Sequence, residues 1–116
     1  MRILLTCCAG MSTSMLVEMM LQEAKKQGKK YDIVATDQEK VTSMIKDYDI
    51  LLLGPQVRNA YKRMYKLYSP IIPVAMIDVQ DYGRLDGKRV LEFAEKTLAD
   101  YKTNGNYIEY DKRADE

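Results

Sequence analysis

A chain of 116 residues is long enough for one hydrophobic core and too short for two. Its charge is nearly balanced at +1, which excludes a general nucleic-acid or membrane-surface binder, since either needs a marked basic excess. Histidine is absent and the only cysteines are Cys7 and Cys8, so the usual general base, the commonest nitrogen ligand for metals and any Cys–His catalytic pair are missing.

"RILLT" at residues 2–6 is a continuous apolar run of the kind a buried parallel strand needs. No apolar run reaches the roughly 18 residues that span a bilayer. "MRILLTCC" turns polar too soon for a secretory signal, so a cytoplasmic location is expected, where thiols stay reduced. From Ser14, "SMLVEMMLQEAKKQGKK" predicts a helix with Met15, Leu16, Met19 and Met20 on its core side, ending at Gly28 with lysines in the last turn. Residues 31–36 predict a second strand, 38–48 a short helix with Val41, Met44 and Ile45 inward, and 50–53 a fully buried third strand broken by Gly54-Pro55. The next helix carries Val57, Tyr61, Met64 and Tyr68 on one face. Its basic face (Arg58, Lys62, Arg63, Lys66) reads as solvated and not as a nucleic-acid surface.

Residues 72–78 predict the fourth strand, Asp81-Tyr82-Gly83 a turn, and "DGKRVLEFAEKTLADYK" a last helix with Val90, Leu91, Ala94 and Leu98 as its apolar stripe. Strands alternating with helices imply right-handed crossovers, hence an α/β fold with a single open four-stranded parallel sheet flanked by helices. The polar segment "TNGNYIEYDKRADE" reads as a frayed terminus, which divides the chain into a domain of residues 1–102 and a tail of 103–116.

The chemistry concentrates in "LLTCCAGMSTSML". In an open parallel sheet, ligands bind beyond the carboxyl ends of the strands, and Cys7 stands at the end of the first. Ala9 and Gly10 let the main chain curl, and Ser12, Thr13 and Ser14 are competent N-caps, but no Glu or Gln three residues on closes a capping box. The N–H groups of Cys8, Ala9, Gly10, Met11, Ser12, Thr13 and Ser14 are thus placed to face an anion at the positive end of a helix dipole. A cysteine there is favoured as thiolate, below the free pKa of roughly 8.5. A loop that activates a thiolate and then cradles anionic oxygens suits a covalent phosphocysteine. Cys8, one residue further round the turn, reads as a small packed side chain. A disulfide between adjacent cysteines would close a strained eight-membered ring, and two cysteines without histidine make a poor zinc site, so neither metal nor cofactor is expected.

Two rival readings share this scaffold. One is a cysteine-dependent low-molecular-weight phosphatase or arsenate-reductase-like enzyme; cysteine phosphatases place an arginine six residues after the nucleophile, where this chain has Thr13. Without that bidentate clamp hydrolysis should be feeble, even though Asp78 or Asp81 offers a general acid. A thiol-redox module is disfavoured because Cys7-Cys8 lacks the Cys-x-x-Cys spacing.

"CCAGMSTSML" resembles the phosphorylation-site segment of the enzyme IIB components of the bacterial sugar phosphotransferase system, in particular the lactose/cellobiose (chitobiose) branch with its Cys-x-Ala-Gly-Met-Ser-Thr-Ser loop. The likeness continues through "DILLLGPQ" (49–56) and "VAMIDVQDYGRLDGKRVL" (74–91) and covers residues 1–102. It implies that Cys7 is the phosphorylated residue and Cys8 to Ser14 the phosphate loop. It also implies a relay from a phosphohistidine of the IIA protein through Cys7 to the sugar bound by membrane component IIC, which accounts for the missing histidine. The chain itself would be a monomeric carrier that neither inserts in the membrane nor binds nucleic acid. Gln56, Asp78 and Tyr82 fall on the same edge of the sheet, for supporting the loop or docking a partner, although strand-end and turn chemistry explain them equally well. Met11 is a candidate apolar contact for IIA. Sugar identity is expected to lie mainly in IIC.

Overall fold

The computed structural model describes residues 1–7 and 11–116, with main chain only for Met11 and Ser12. Strands β1 (Arg2–Thr6), β2 (Asp32–Thr36), β3 (Ile50–Leu53) and β4 (Val74–Met76) form a parallel sheet in the order β2-β1-β3-β4. β1 is therefore central, its last residue Thr6 paired with Thr36 on one side and Leu53 on the other.

Among the described residues, five α-helices cover the sheet: α1 (Met11–Lys26), α2 (Val41–Met44), α3 (Tyr61–Tyr68), α4 (Val79–Gly83) and α5 (Gly87–Thr103). Alternation along each strand splits the interior in two. Ile3, Leu5, Ile50 and Leu52 join Leu16 and Met20 of α1 and Leu91 and Ala94 of α5. Leu4, Leu51, Leu53 and Val74 join Val41, Tyr61 and Met64 on the opposite face. All four residues of β3 are fully buried, and each aliphatic side chain buried this way contributes about 1.5–3 kcal/mol. That two-sided burial is why "ILLL" shows no polar alternation. The helices α1 and α5 approach so closely that a Cβ on Gly87 would stand 2.4 Å from the carbonyl carbon of Met19.

The boundaries differ from the sequence reading at instructive points. α1 begins at Met11, so Thr13 and Ser14 lie inside its first turn and not ahead of it. Met15, expected in the core, is 46% exposed. Residues 81–83, expected as a turn, belong to α4 (Val79–Gly83), because the Asp78 carboxylate accepts from the N–H groups of Gln80 and Asp81 and caps it. The helix expected over 38–48 is a single α-turn between two 3₁₀ segments. After Pro55 the chain takes a 3₁₀ path kinked at Val57 before α3 starts.

The segment after α5 is packed and not frayed. The Tyr110 ring centre lies 5.2 Å from that of Tyr61 and 5.3 Å from that of Tyr65. The Asp111 N–H donates to the Tyr61 hydroxyl at 2.9 Å, the Tyr65 hydroxyl donates to the Ile108 carbonyl, and Arg58 donates to the main-chain oxygen of Glu116. The aromatic residues Tyr61, Tyr65 and Tyr110 give this polar stretch something apolar to bury.

At the amino edge of the sheet, charge ties the elements together. Arg2 donates to Asp32 and to the Asp47 carbonyl and lies over the Tyr48 ring, and its N–H donates to Asp49. Lys29 and Tyr31 both donate to one carboxylate oxygen of Glu95, each at 2.6 Å. Among the described residues no helix is long and apolar enough to cross a membrane.

Candidate functional site

Cys7 follows β1 directly and is buried, 7% exposed. It sits at the carboxyl edge of the sheet, where the central strand hands the chain over to α1. The first turn of α1 holds no acidic residue, so nothing there offsets the positive end of the helix dipole.

Three elements close around the thiol. From α1, the Thr13 hydroxyl is within hydrogen-bonding distance of Cys7 Sγ; Thr13 is itself buried, 3% exposed. From α4, the Tyr82 hydroxyl lies 2.8 Å from Thr13 Oγ1, and Tyr82 is also buried. From the end of β3, Gly54 donates its N–H to the Thr6 carbonyl at 2.9 Å, which draws the main chain against Cys7. A Cβ at Gly54 would lie 3.2 Å from Cys7 Cβ, 2.7 Å from Gln56 Oε1 and 3.4 Å from the Tyr82 ring. Gly54 is needed for this close approach; its φ of −66° is open to any residue.

Of the residues singled out in the sequence, Cys7, Thr13, Gln56 and Tyr82 converge here. Ser14 follows Thr13 and is exposed. Asp78 stands at the same edge, but its carboxylate is occupied in capping α4, and the neighbouring Asp81 is paired with Arg89 at 2.8 Å. Cys8, Ala9 and Gly10, and the side chains of Met11 and Ser12, lie outside the described residues. Gly54 was missed as a site residue. Its signal, a glycine at the end of an all-apolar strand, was absorbed by the Gly-Pro break. Among the described residues, three large apolar side chains on the flanking helices face solvent, Met15 and Leu21 of α1 and Val79 of α4.

Chemically, this is a buried thiol met by a hydroxyl inside the first turn of a helix, backed by a phenol, with Asp78 and Asp81 at the same edge engaged in a helix cap and an ion pair. It suits a sulfur that turns anionic and then carries an anion. It is poorly furnished for acid–base work.

Comparison with known proteins agrees in its own terms. Residues 2–93 match the family of lactose/cellobiose-specific IIB subunits of the PTS system. A galactose-specific EIIB component from Lactococcus lactis subsp. cremoris is 38% identical over 102 residues, covering 83% of this chain and 94% of that protein. An oligo-beta-mannoside-specific EIIB component from Bacillus subtilis is 37% identical over 94 residues, covering 80% and 91%. Among solved structures, the cellobiose-specific IIB component of Borrelia burgdorferi superposes with a TM-score of 0.74 at 37% identity, over 86% of this chain and 93% of that one. The lactose-specific IIB domain of Streptococcus pneumoniae shares the fold at a TM-score of 0.76 and 18% identity, over 84% and 96%. With the family spanning most of the chain and the parallel four-stranded sheet in common, this protein belongs to the lactose/cellobiose-specific IIB family of the sugar phosphotransferase system.

Proposed function

We propose that the protein relays a phosphoryl group from a IIA protein to a sugar held by a membrane IIC component, with Cys7 as the covalent carrier. The Cys7 thiolate attacks the phosphorus of a phosphohistidine; the S–P bond forms as the N–P bond breaks, and the electron pair returns to the imidazole. In the second step a sugar hydroxyl attacks the phosphorus, the O–P bond forms as the S–P bond breaks, Cys7 leaves as thiolate, and the hydroxyl proton passes to water. Both steps depend on in-line positioning and on donors to the phosphoryl oxygens. The N–H groups of residues 8–14 and the Thr13 hydroxyl are the proposed donors. The observation that carries this reading is the seat of Cys7, at the end of the central strand and against the first turn of α1 through Thr13.

The same geometry supports relay over hydrolysis. Thr13 occupies the position where a phosphatase needs its guanidinium, and Asp78 and Asp81 are engaged in a helix cap and an ion pair. Residues 1–102 form the proposed phosphocarrier domain, with 103–116 as an appended segment, and the proposed location is the cytoplasm. Relatives of 37–38% identity carry different sugar names, galactose, cellobiose and oligo-beta-mannoside. Overall similarity thus does not set the sugar, and the choice is assigned to IIC.

The test is intact mass after incubation with phosphoenolpyruvate, the general phosphotransferase proteins and a IIA protein, on wild type, Cys7→Ser and Cys8→Ser. One added phosphoryl group, lost in Cys7→Ser and kept in Cys8→Ser, is the expected result. Loss in Cys8→Ser alone moves the site by one residue. No phosphorylation of any form, together with turnover of an aryl phosphate, overturns the relay in favour of a phosphatase.

A further inference from the structure

We propose that Tyr82 is a positioning residue that aims the single hydroxyl proton of Thr13 at the sulfur of Cys7, so that the three side chains form a hydrogen-bond chain whose direction follows the charge on the sulfur. The proposal deepens the relay reading and rests on Cys7 being its reactive group.

The inference is a matter of counting protons. Thr13 Oγ1 has Cys7 Sγ on one side and the Tyr82 hydroxyl, at 2.8 Å, on the other. A hydroxyl has one proton to give and lone pairs to receive with, and a thiolate can only receive. When Cys7 is ionised, the Thr13 proton must therefore lie toward sulfur. The proton between Thr13 and Tyr82 must then come from Tyr82. The order Tyr82 O–H to Thr13 O–H to Cys7 S⁻ is the only one that keeps both contacts. When Cys7 is a thiol, the array can run the other way, with sulfur donating to Thr13 and Thr13 to Tyr82. Ionisation, or loss of the negative charge when the S–P bond forms, thus reverses or releases the chain.

Tyr82 and Thr13 are 69 residues apart and both buried, so water competes little for these contacts. The described elements contribute Thr13 of α1 at the sulfur, Tyr82 of α4 behind Thr13, and Gly54 at the end of β3, with Gln56 beside Gly54. Of these four, Tyr82 alone can ionise. None of the four brings a cation, so their share in favouring the thiolate falls to oriented hydroxyls, beside the helix dipole at the start of α1. A charge-assisted hydrogen bond is roughly twice as strong as a neutral one, and a second donor behind it strengthens it by about 10–30%.

The experiment follows Cys7 alkylation by iodoacetamide against pH in the full-length protein, with the modified cysteine located by tandem mass spectrometry. Thr13→Val should move the midpoint of the profile upward by about one pH unit, or tenfold in thiolate fraction. Tyr82→Phe should move it upward by about half a unit, or roughly threefold. In the double variant the Tyr82→Phe effect should vanish, because Tyr82 acts only through Thr13. Thr13→Ser, which keeps the hydroxyl, should restore the wild-type profile. Additive shifts in the double variant, or an unmoved midpoint in Tyr82→Phe, overturn the proposal and leave Tyr82 a packing residue. If Tyr82→Phe does not fold, site-specific replacement of Tyr82 by 3-fluorotyrosine keeps the ring and makes a stronger donor. The midpoint must then fall, and a rise or no change overturns the proposal. No phosphoryl donor enters the assay, so a protein that fails to accept phosphate yet shows the coupled shifts refutes the relay and not the hydrogen-bond chain.

Discussion

The two edges of the sheet are built from different materials. At the amino edge, Arg2 gathers Asp32, Asp49 and the Asp47 carbonyl, and Glu95 gathers Lys29 and Tyr31. At the carboxyl edge, the described residues beside Cys7 are Thr13, backed by Tyr82, and Gly54, with Gln56 next to Gly54, and none of these side chains carries a permanent charge. The same strands run through both. A charge that stays constant can be matched once and left, and the amino edge does this. On the proposed relay, the carboxyl edge takes up and gives away a phosphoryl group, and neutral dipoles adapt to a charge that comes and goes. Fixed cations there would hold the phosphoryl group too tightly for onward transfer.

Substitutions can break this comparison by damaging the frame without the thiol, or the thiol without the frame. The largest effect on stability is expected for Gly87→Ala, whose new Cβ would meet the main chain of Met19 at 2.4 Å. Main chain cannot swing aside as a side-chain end can, so a loss of about 2–3 kcal/mol is expected, read as a lower urea midpoint with an unchanged alkylation profile of Cys7. A shifted profile would show that the α1–α5 contact also sets the site.

Next is Glu95→Gln at the amino edge. Burial works against the charged carboxylate, but the donors Lys29 and Tyr31 outweigh it and hold its pKa below the ordinary value. Burial and the bond to Glu95 push the Tyr31 phenol up to about 12. Glu95 thus adds stability above the unfolded value of 4.5, and that stability is lost as pH falls through the lower folded value. The contribution of Tyr31 is complete below its unfolded value of 10.0 and is lost as pH rises toward about 12. Removing the Glu95 charge should cost about 1 kcal/mol near neutral pH, since the pair is partly exposed and screened. The acid and alkaline limbs of the melting temperature against pH should both flatten. An unchanged alkaline limb would mean that Tyr31 owes its stability to burial alone.

Gly54→Ala should change stability least and the site most. The alanine Cβ displaces the flexible end of Gln56, and the lower entropy of the unfolded chain offsets the crowding, so a net change below about 1 kcal/mol is expected. The contact at 3.2 Å from Cys7 Cβ should shift the sulfur by a few tenths of an ångström and slow phosphoryl acceptance by about threefold to tenfold. An unaltered rate would remove Gly54 from the site.

The contrast between edges also explains what was legible in the sequence. β3 and the seat of Cys7 were readable because burial on two faces and a strand-to-helix junction are local patterns. The short helix α4 was not, since Asp78 signals a turn and a helix cap with the same residue. The docking of residues 108–116 was not, because Tyr110 acquires its meaning only from Tyr61 and Tyr65, some fifty residues earlier. Tyr82 was placed on the correct edge, but its contact with Thr13 depends on α1 starting at Met11, early enough to turn Thr13 inward. The role of Gly54 was hidden because close approach, unlike positive φ, leaves no mark in local sequence.

The spread of the site along the chain has a consequence for its making. Cys7 is among the first residues a ribosome delivers, whereas Tyr82 follows 75 residues later, after the last strand. Domains fold as units once enough chain has been made, so through most of synthesis the cysteine has neither the hydroxyl chain nor the wall at Gly54 beside it. Reactivity of the kind the finished site supports is therefore a property of the completed sheet. A truncated or stalled product carries the cysteine without the hydroxyl chain and the wall that the proposed chemistry uses.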